Sequence, residues 1–404
     1  MNKPKIRFNG FEGEWKEKAL GDVVDEFKYG INAAAVSYDG ENKYLRITDI
    51  DEGSRAFIKD ELASPDADLS SCNEYIMQDG DIVIARTGAS VGKSYIYHPI
   101  DGKVYFAGFL IRARVNKNVD REFVFQNTLT DGFKKYIRFV SQRSGQPGVN
   151  AEELKSYLMN LPASLPEQRA IASYFTSLDA QIAASTSRLS SLKQIKAASL
   201  LNMFPQKGET VPRVRFKGFQ GEWVRQRLGD ISASFSGGTP AVSVSDYYGG
   251  NIPFIRSGEI HENRTQLYIT QAGLNNSSAK IVEKGTILYA LYGATSGDVG
   301  ISKLRGAINQ AILAIEPTKD IDNFFLAGFL QSYKNRIING LLQGGQGNLS
   351  GSLVKKILLA IPSLSEQRAI ASYFTALDAQ ITLHRKRLEK LKQIKAACLK
   401  KMFA

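Results

Sequence analysis

The chain contains two copies of one 40-residue segment, and this duplication limits the folds open to it more than any other feature. Residues 165–204 and 364–403 align without a gap, and about 28 of the 40 positions are identical. A shorter repeat opens each half of the chain, where residues 4–22 match residues 212–230. The segments between the repeats are strongly diverged. Two similar frames therefore carry two different inserts, which is typical of a chain that performs one task on two different targets.

The 40-residue repeats predict two long helices with a buried seam. Ser164 with Glu167, and Ser363 with Glu366, have the S-x-x-E spacing of a capping box. Apolar residues then recur at alternating spacings of four and three, which is the pattern of a coiled coil. The seam residues are Ile171, Phe175, Leu178, Ile182, Leu189 and Leu192 in the first copy, and Ile370, Phe374, Leu377, Ile381, Leu388 and Leu391 in the second. We expect the two helices to pair within the chain; the alternative is that each packs only on its own domain.

The inserts have the pattern of mixed α/β domains with short strands and glycine-rich loops. The segments that predict strands are 43–47, 81–85, 109–115, 253–256, 286–291 and 311–315. We therefore predict a mixed α/β fold with four parts, namely an α/β domain at 1–160, a helix at 161–206, a second α/β domain at 207–360 and a second helix at 361–404.

The charge of the chain favours a polyanionic partner. Its 52 Lys and Arg residues outnumber its 40 Asp and Glu residues and give a net charge of +12. Nucleic acid is the commonest such partner, although a solvated basic surface is the alternative. The second helix carries a basic run that is a candidate for phosphate contact or a solvated face, namely Arg385, Lys386, Arg387, Lys390, Lys392 and Lys395.

No segment predicts a catalytic centre, a metal site or a membrane span. The two Cys and three His residues are far apart, and the polar first residues lack the apolar run of a secretory signal, so we expect a cytoplasmic protein. Residues 87–94 end in G-K-S as a phosphate-binding loop does, but Thr87 stands where that motif needs glycine. The equivalent loop of the second insert has Asp298 in place of the lysine. We expect a surface loop that exposes Thr, Ser and Lys; an ATP-dependent enzyme that uses this loop is a competing hypothesis.

With its duplicated frame, the sequence resembles the specificity (S) subunits of type I restriction–modification systems. The P-S-L-x-E-Q-R-A-I-A pattern before a long helix occurs approximately at 162–172 and fully at 362–371. The runs 237–240 (Gly-Gly-Thr-Pro) and 252–258 (Ile-Pro-Phe-Ile-Arg-Ser-Gly), with the glycine-rich loop after Leu291, carry the rest of the resemblance. The first insert matches less closely, because residues 29–32 read Tyr-Gly-Ile-Asn where the second insert has Gly-Gly-Thr-Pro.

The resemblance implies a non-catalytic subunit that supplies DNA specificity. Each insert would be a target-recognition domain that reads one half of a split, asymmetric site in double-stranded DNA. The helices would pair antiparallel, set the distance between the halves and dock two modification subunits, which bind S-adenosylmethionine and methylate adenine N6. Restriction subunits would add ATP- and Mg²⁺-dependent translocation and cleavage, so no cofactor is expected in this chain. A free-standing bipartite DNA-binding protein, such as a repressor, is the alternative.

Specific DNA reading needs phosphate contacts for positioning and base-edge contacts for sequence. Glycine-rich loops that carry Arg, Lys, Gln, Asn or hydroxyl side chains suit both tasks. In the first insert the candidates are Arg46, Arg86, Thr87, Ser90, Lys93, Gln142, Arg143, Gln146 and Asn150, and in the second they are Arg256, Tyr292, Thr295, Ser296, Gln343, Gln346 and Asn348. Each could equally be a solvated loop residue. Arg46 and Arg256 occupy matched strand positions, which a structural ion pair would explain equally well.

Overall fold

The computed structural model describes residues 3–143, 145–206, 208–341 and 349–403, with the backbone alone at 335–341. The described helices are α1 (Arg121–Thr128), α2 (Asp131–Val140), α3 (Ala151–Lys155), α4 (Leu165–Asn202), α5 (Leu228–Ile231), α6 (Gln271–Asn275), α7 (Asn323–Leu341), α8 (Gly351–Lys355) and α9 (Leu364–Met402). Two of them, α4 and α9, are the long helices that the repeats predict. No helix in the described part of the chain is both long and apolar enough to cross a membrane.

The described strands are short, as the inserts predict. Those before α4 are β1 (Lys16–Ala19), β2 (Val24–Tyr29), β3 (Ala35–Ser37), β4 (Lys43–Leu45), β5 (Ala63–Pro65), β6 (Ile82–Ala85), β7 (Ser94–Ile96), β8 (Val104–Phe106), β9 (Leu110–Val115) and β10 (Leu158–Leu161). Those after it are β11 (Val224–Arg227), β12 (Ser232–Ser236), β13 (Tyr248–Ile255), β14 (Leu267–Ile269), β15 (Lys280–Val282), β16 (Ile287–Ala290), β17 (Val299–Ile301), β18 (Gly306–Ile308), β19 (Ile312–Pro317) and β20 (Leu358–Ile361). The mixed α/β class is confirmed.

The chain forms two compact units, and both long helices contribute to each. Unit 1 contains residues 1–187 and 385–404, and unit 2 contains residues 188–384. Each unit therefore holds the N-terminal half of one long helix and the C-terminal half of the other. The sequence-based boundaries at 160, 206 and 360 stay a prediction, because they follow the repeats rather than this division.

The two units repeat one topology. Unit 1 has an antiparallel sheet in the order β2-β9-β6-β7, and unit 2 has the corresponding sheet in the order β12-β19-β16-β17. A parallel pair accompanies each sheet, β4 with β8 and β13 with β18. The short repeat also forms a strand in each unit, because β1 pairs with β10 and β11 pairs with β20. The inserts share the strand order of the four-stranded antiparallel sheet. Their other strands differ, because β3-β5 and β4-β8 are separate pairs in unit 1 and unit 2 has one sheet in the order β14-β13-β18-β15.

Within each unit the two helix halves run antiparallel. In unit 1, Lys395 Nζ lies 2.6 Å from an Asp179 carboxylate oxygen, and Tyr174 Oη lies 3.4 Å from Cys398 Sγ. In unit 2, the equivalent atoms of Lys196 and Asp378 are also 2.6 Å apart. Residue numbers fall along one helix as they rise along its partner. The antiparallel coiled coil that the resemblance implies is confirmed.

The seam residues are buried, as the heptad pattern predicts. Those of α4 and the first four of α9 are buried, whereas Leu388 and Leu391 are half-buried. The helix ends also enter the domain cores, where Phe175 packs against Phe403 in unit 1 and Phe374 packs against Phe204 in unit 2. Pairing between the helices and packing on the domains therefore both occur.

The predicted capping boxes are incomplete: the side-chain N-cap contact forms at Ser363, whereas the Glu167 amide donates to the backbone carbonyl of Ser164. The amide of Glu366 donates to Ser363 Oγ at 3.4 Å, which is the expected N-cap contact. The Glu side chains do not turn back to the cap. The Glu167 carboxylate accepts from Arg7 Nε at 2.7 Å, and the Glu366 carboxylate accepts from Arg215 Nε at 2.7 Å. Each Glu is therefore the buried link between the long repeat and the short repeat.

Candidate nucleic-acid interface

Two loops that are distant in the sequence of unit 1 meet in the structure. Thr87 forms an isolated β-bridge with Gly148, and the Gly88 amide donates to the Pro147 carbonyl at 2.9 Å. The Val149 amide donates to the Arg86 carbonyl at 2.8 Å. Residues 86–93 and the described residues of the second loop, 142–143 and 145–150, therefore form one surface at the end of β6. Both loops are predicted to carry DNA-reading side chains.

Several predicted residues on this surface are open to a partner. Gln142 and Gln146 are exposed, and Thr87 and Ser90 are half-buried. The Arg86 guanidinium carbon lies 4.8 Å from the centre of the Tyr29 ring, a cation–π contact that fixes the arginine on an aromatic platform. An arginine held in this way is already ordered, so it would lose less conformational freedom on binding a partner.

Three predicted residues of unit 1 make contacts within their own unit. The expectation that the loop exposes Lys93 is wrong, because Lys93 is buried and donates from Nζ to the Ile50 carbonyl at 2.9 Å. Asn150 caps α3, its Oδ1 accepting from the Glu153 amide at 2.9 Å. Arg143 donates to the Glu153 carboxylate and to the Val140 carbonyl. Base reading by Asn150 would require the cap to break.

Arg46 and Arg256 form matched ion pairs. Arg46 Nη2 lies 2.7 Å from Asp49 Oδ1, and Arg256 Nη2 lies 3.0 Å from Glu259 Oε1. Burial opposes ionisation of Glu259, but hydrogen bonds from Arg256, from two backbone amides and from a hydroxyl group outweigh it and lower the pKa of Glu259 to about 2. Each arginine thus closes the turn after its strand. These contacts support the structural interpretation of the matched pair.

In unit 2 the corresponding loop packs closely on its own domain. Tyr292 is half-buried against the core, which raises the pKa of its hydroxyl group, and Ser296 Oγ donates to the Leu291 carbonyl at 3.2 Å. Thr295 is half-buried in the same turn. The Leu349 amide donates to the Leu291 carbonyl at 2.9 Å and so brings a second segment to this loop, as in unit 1. The predicted residues Gln343, Gln346 and Asn348 lie outside the described residues.

Sequence reasoning missed exposed apolar and amide groups beside these loops. In unit 1, Phe109 is 61% exposed in the turn before β9, and its carbonyl accepts from the Arg86 amide. In unit 2, Thr239, Arg256 and Asn309 border a cavity of about 370 Å³ with apolar walls. An aromatic residue in a turn was the one available signal for Phe109. Thr239 lies in the Gly-Gly-Thr-Pro run at 237–240, which could have marked it, whereas Asn309 belongs to no such pattern.

The long helices carry a second surface that the two copies share. Directly opposite the buried seam, four exposed positions are identical in sequence and burial between the copies. We call these positions the outer stripe; they are Arg169, Ser173, Thr176 and Ala180 on α4, and Arg368, Ser372, Thr375 and Ala379 on α9. Neither folding of the seam nor core packing requires these identities.

Comparison with known proteins agrees with this architecture. The family model described as type I restriction modification DNA specificity domain matches twice, at residues 12–194 and 220–393. A Methanocaldococcus jannaschii protein with the provisional name of type I restriction enzyme MjaX specificity subunit is 23% identical, and the match covers 98% of this chain and 94% of that protein. The type I restriction enzyme HindI specificity subunit of Haemophilus influenzae is 22% identical, over 87% of this chain and 90% of its own length. These relatives are named specificity subunits, not methyltransferases.

A solved structure has the same fold over the whole chain. The type I restriction–modification S subunit from M. genitalium aligns with a TM-score of 0.70 at 16% identity, covering 100% of this chain and 99% of its own. The fold is thus shared, and the two family matches cover both copies of the repeat. This chain belongs to the family of type I restriction–modification DNA specificity subunits.

Proposed function

We propose that each unit reads one half of a bipartite, asymmetric DNA target through the loops at the end of its four-stranded sheet. The observation that carries the proposal is that one topology, present twice, bears two different sets of loop residues. Arg86 and Gln142 of the first insert align with Leu291 and Leu342 of the second, whereas Gln146 aligns with an identical residue, Gln346. Identical frames with different loops suit two different half-sites, since sequence is read by side chains at base edges.

The outer stripe supports docking of two modification subunits. Exposed residues that are identical in the two copies fit a partner that binds each copy in the same way. In each copy the stripe has one arginine and three small residues, and the small residues allow a partner helix to approach closely. S-adenosylmethionine would be bound by those subunits, and ATP and Mg²⁺ by restriction subunits that join through them. The assembly would act on DNA in the cytoplasm.

The docking proposal is tested with one substitution in each copy. Ser173→Arg and Ser372→Arg each place a bulky cation on one stripe, so each variant should retain one modification subunit instead of two, and the double variant should retain none. Copurification followed by native mass spectrometry measures the stoichiometry. Thr186→Arg is the matched control, because Thr186 is exposed and Arg385 already occupies the equivalent position in the second copy.

The DNA proposal is tested by mapping methylated bases in cells with and without the gene. Loss of one bipartite adenine-methylation motif on deletion is the expected result. An unchanged methylome, together with the absence of any modification subunit in the purified complex, would instead support a free-standing DNA-binding protein.

A further inference from the structure

A basic cavity in unit 1 lies beside the loops that we assign to DNA reading. It has a volume of about 440 Å³ and is bounded by the Gly88–Gly92 turn, by one side of α2 and by the turn at residues 51–55. Lys134 and Arg138 stand one helical turn apart on α2 and point to the same side. Arg55 and Lys93 complete the set of cations, and Glu52 is the acidic residue in the lining.

The cations of this cavity outnumber its internal partners. Glu52 lies 3.1 Å from Arg55 Nη2 and 3.9 Å from Lys93 Nζ. Arg55 Nη1 is buried and has no hydrogen-bond partner among the described residues. Lys134 and Arg138 are exposed and form no ion pair within the described part of the chain. With one carboxylate for four cations, the lining carries a net positive charge of three. In addition, the buried Arg55 Nη1 donor lacks an acceptor.

In unit 2, the position that corresponds to this cavity has its lysine neutralised by an acidic side chain. The Gly293–Gly297 turn repeats the Gly88–Gly92 turn, since the Gly92 amide donates to the Ala85 carbonyl and the Gly297 amide to the Ala290 carbonyl, each at 2.8 Å. Asp298 follows that turn where unit 1 has Lys93. Its carboxylate lies 3.2 Å from Lys334 Nζ and 3.0 Å from His261 Nε2. Lys334 corresponds in sequence to Lys134. The Asp298 carboxylate therefore neutralises the lysine in unit 2, whereas the equivalent lysine in unit 1 has no acidic partner among the described residues.

We propose that the unit 1 cavity binds one phosphate group, and that this group belongs to the backbone of the DNA read by unit 1. Lys134, Arg138 and Arg55 Nη1 supply the charge, and the Ser90 hydroxyl group supplies a neutral donor. The rim supports DNA as the source, because Ser90 and Pro147 belong to the two joined loops of the candidate interface. Lys93 is not the phosphate ligand, because its ammonium group is buried against the Ile50 carbonyl. The inference rests on the proposed function of unit 1.

The test uses the full chain in complex with its modification subunits. Lys134→Ala with Arg138→Ala should weaken binding to specific and non-specific duplexes by a similar factor, of about tenfold, because phosphates carry no sequence information. The slope of log affinity against log salt concentration should fall by about one, the value for one phosphate contact. The charge-preserving variant Lys134→Arg should retain the slope. Lys334→Ala is the matched control in unit 2, and it should leave the slope unchanged because Asp298 already neutralises that amine.

A double variant with the wild-type salt slope, in a complex that still binds its own sequence, would overturn the assignment of the cavity to DNA. Inorganic phosphate and ATP, titrated into the complex without DNA, distinguish the other source. If the wild-type complex binds phosphate or ATP and the double variant does not, while the salt dependence of DNA binding is unchanged, the cavity binds a free phosphate compound. That result would overturn the assignment of the cavity to DNA. Failure of the wild-type complex to bind any sequence specifically would instead contradict the proposed function.

Discussion

The guanidinium group of Arg7 holds the carboxylate of Glu167 through two hydrogen bonds, Nε to Oε1 at 2.7 Å and Nη2 to Oε2 at 2.8 Å. Arg215 and Glu366 repeat this geometry, with both distances at 2.7 Å. Both glutamates are buried almost completely. Because the short repeat supplies the arginine and the long repeat supplies the carboxylate, loss of the arginine would leave an uncompensated buried charge on the glutamate. This pairing gives a physical reason for the chain to repeat both segments together.

The tryptophans beside these pairs should differ in their contribution to stability. Trp15 Nε1 donates to Glu167 Oε1 at 3.2 Å, whereas Trp223 Nε1 is buried without a partner among the described residues. Trp15→Phe should therefore lower the free energy of unfolding by about 1–3 kcal/mol more than Trp223→Phe, since it removes a hydrogen bond to a charged group. Urea unfolding followed by circular dichroism measures both variants. Equal losses would show that the indole contact contributes nothing.

The antiparallel register should be visible as specific charge coupling. Asp179→Lys places a second cation beside Lys395 and should destabilise unit 1. Adding Lys395→Asp should restore most of the lost stability. We expect a coupling of about 0.2–1 kcal/mol in a double-mutant cycle, because both side chains are partly exposed. Asp179→Lys with Lys196→Asp is the mismatched control and should give no rescue, since Lys196 pairs with Asp378. Rescue by the mismatched partner would contradict this register.

Two glycines should be indispensable for the same steric reason. A Cβ atom at Gly30 would overlap the carbonyl oxygens of Phe106 and Ala107, and one at Gly237 would overlap the carbonyl oxygen of Ile308. Gly30→Ala and Gly237→Ala should each destabilise their unit by roughly 1–3 kcal/mol, because the backbone must move. Gly258→Ala is the control, with no heavy atom within 4 Å of the added Cβ. Thermal unfolding of the three variants measures these effects. An unchanged unfolding temperature for Gly30→Ala would contradict the close approach of Gly30 to the backbone carbonyls of Phe106 and Ala107.

The Arg256–Glu259 pair should make unit 2 sensitive to acid. The folded pKa of Glu259 is about 2, below the usual range of a glutamate, so its ionised form is favoured by folding. The resulting stability is present above about pH 4.5 and is lost as the pH falls toward 2, and linkage gives about 2–3 kcal/mol for a shift of this size. The stability difference between wild type and Glu259→Gln should therefore shrink as the pH falls from about 5 to about 2. A difference that stays constant over this range would contradict the shift.

Patterns that depend on burial were predictable from the sequence. The seam from Ile171 to Leu192 needed only a heptad spacing, and each of the six predicted strand segments overlaps an observed strand. These features follow from periodicity, which one sequence displays directly. The resemblance added the antiparallel pairing, which periodicity alone does not specify.

The roles of individual polar side chains were not predictable. Glu167 fits a capping box, but its carboxylate accepts hydrogen bonds from an arginine and a tryptophan that are distant in sequence. Lys93 has the sequence context of a phosphate ligand, yet its ammonium group is buried and donates a hydrogen bond to the Ile50 carbonyl. Gly30 and Gly237 stand in unlike sequences, although the same close approach of the backbone requires both. Each of these outcomes depends on partners that only the folded chain brings near.

Replacement of one insert tests whether each unit reads one half of the DNA target. Residues 24–160 are exchanged for the equivalent segment of a relative with a different target, and the methylated motif is mapped across the genome. We expect a hybrid motif in which one half-site changes and the other, with its methylated adenine, is retained. A motif altered in both halves would contradict the assignment of one half-site to each unit.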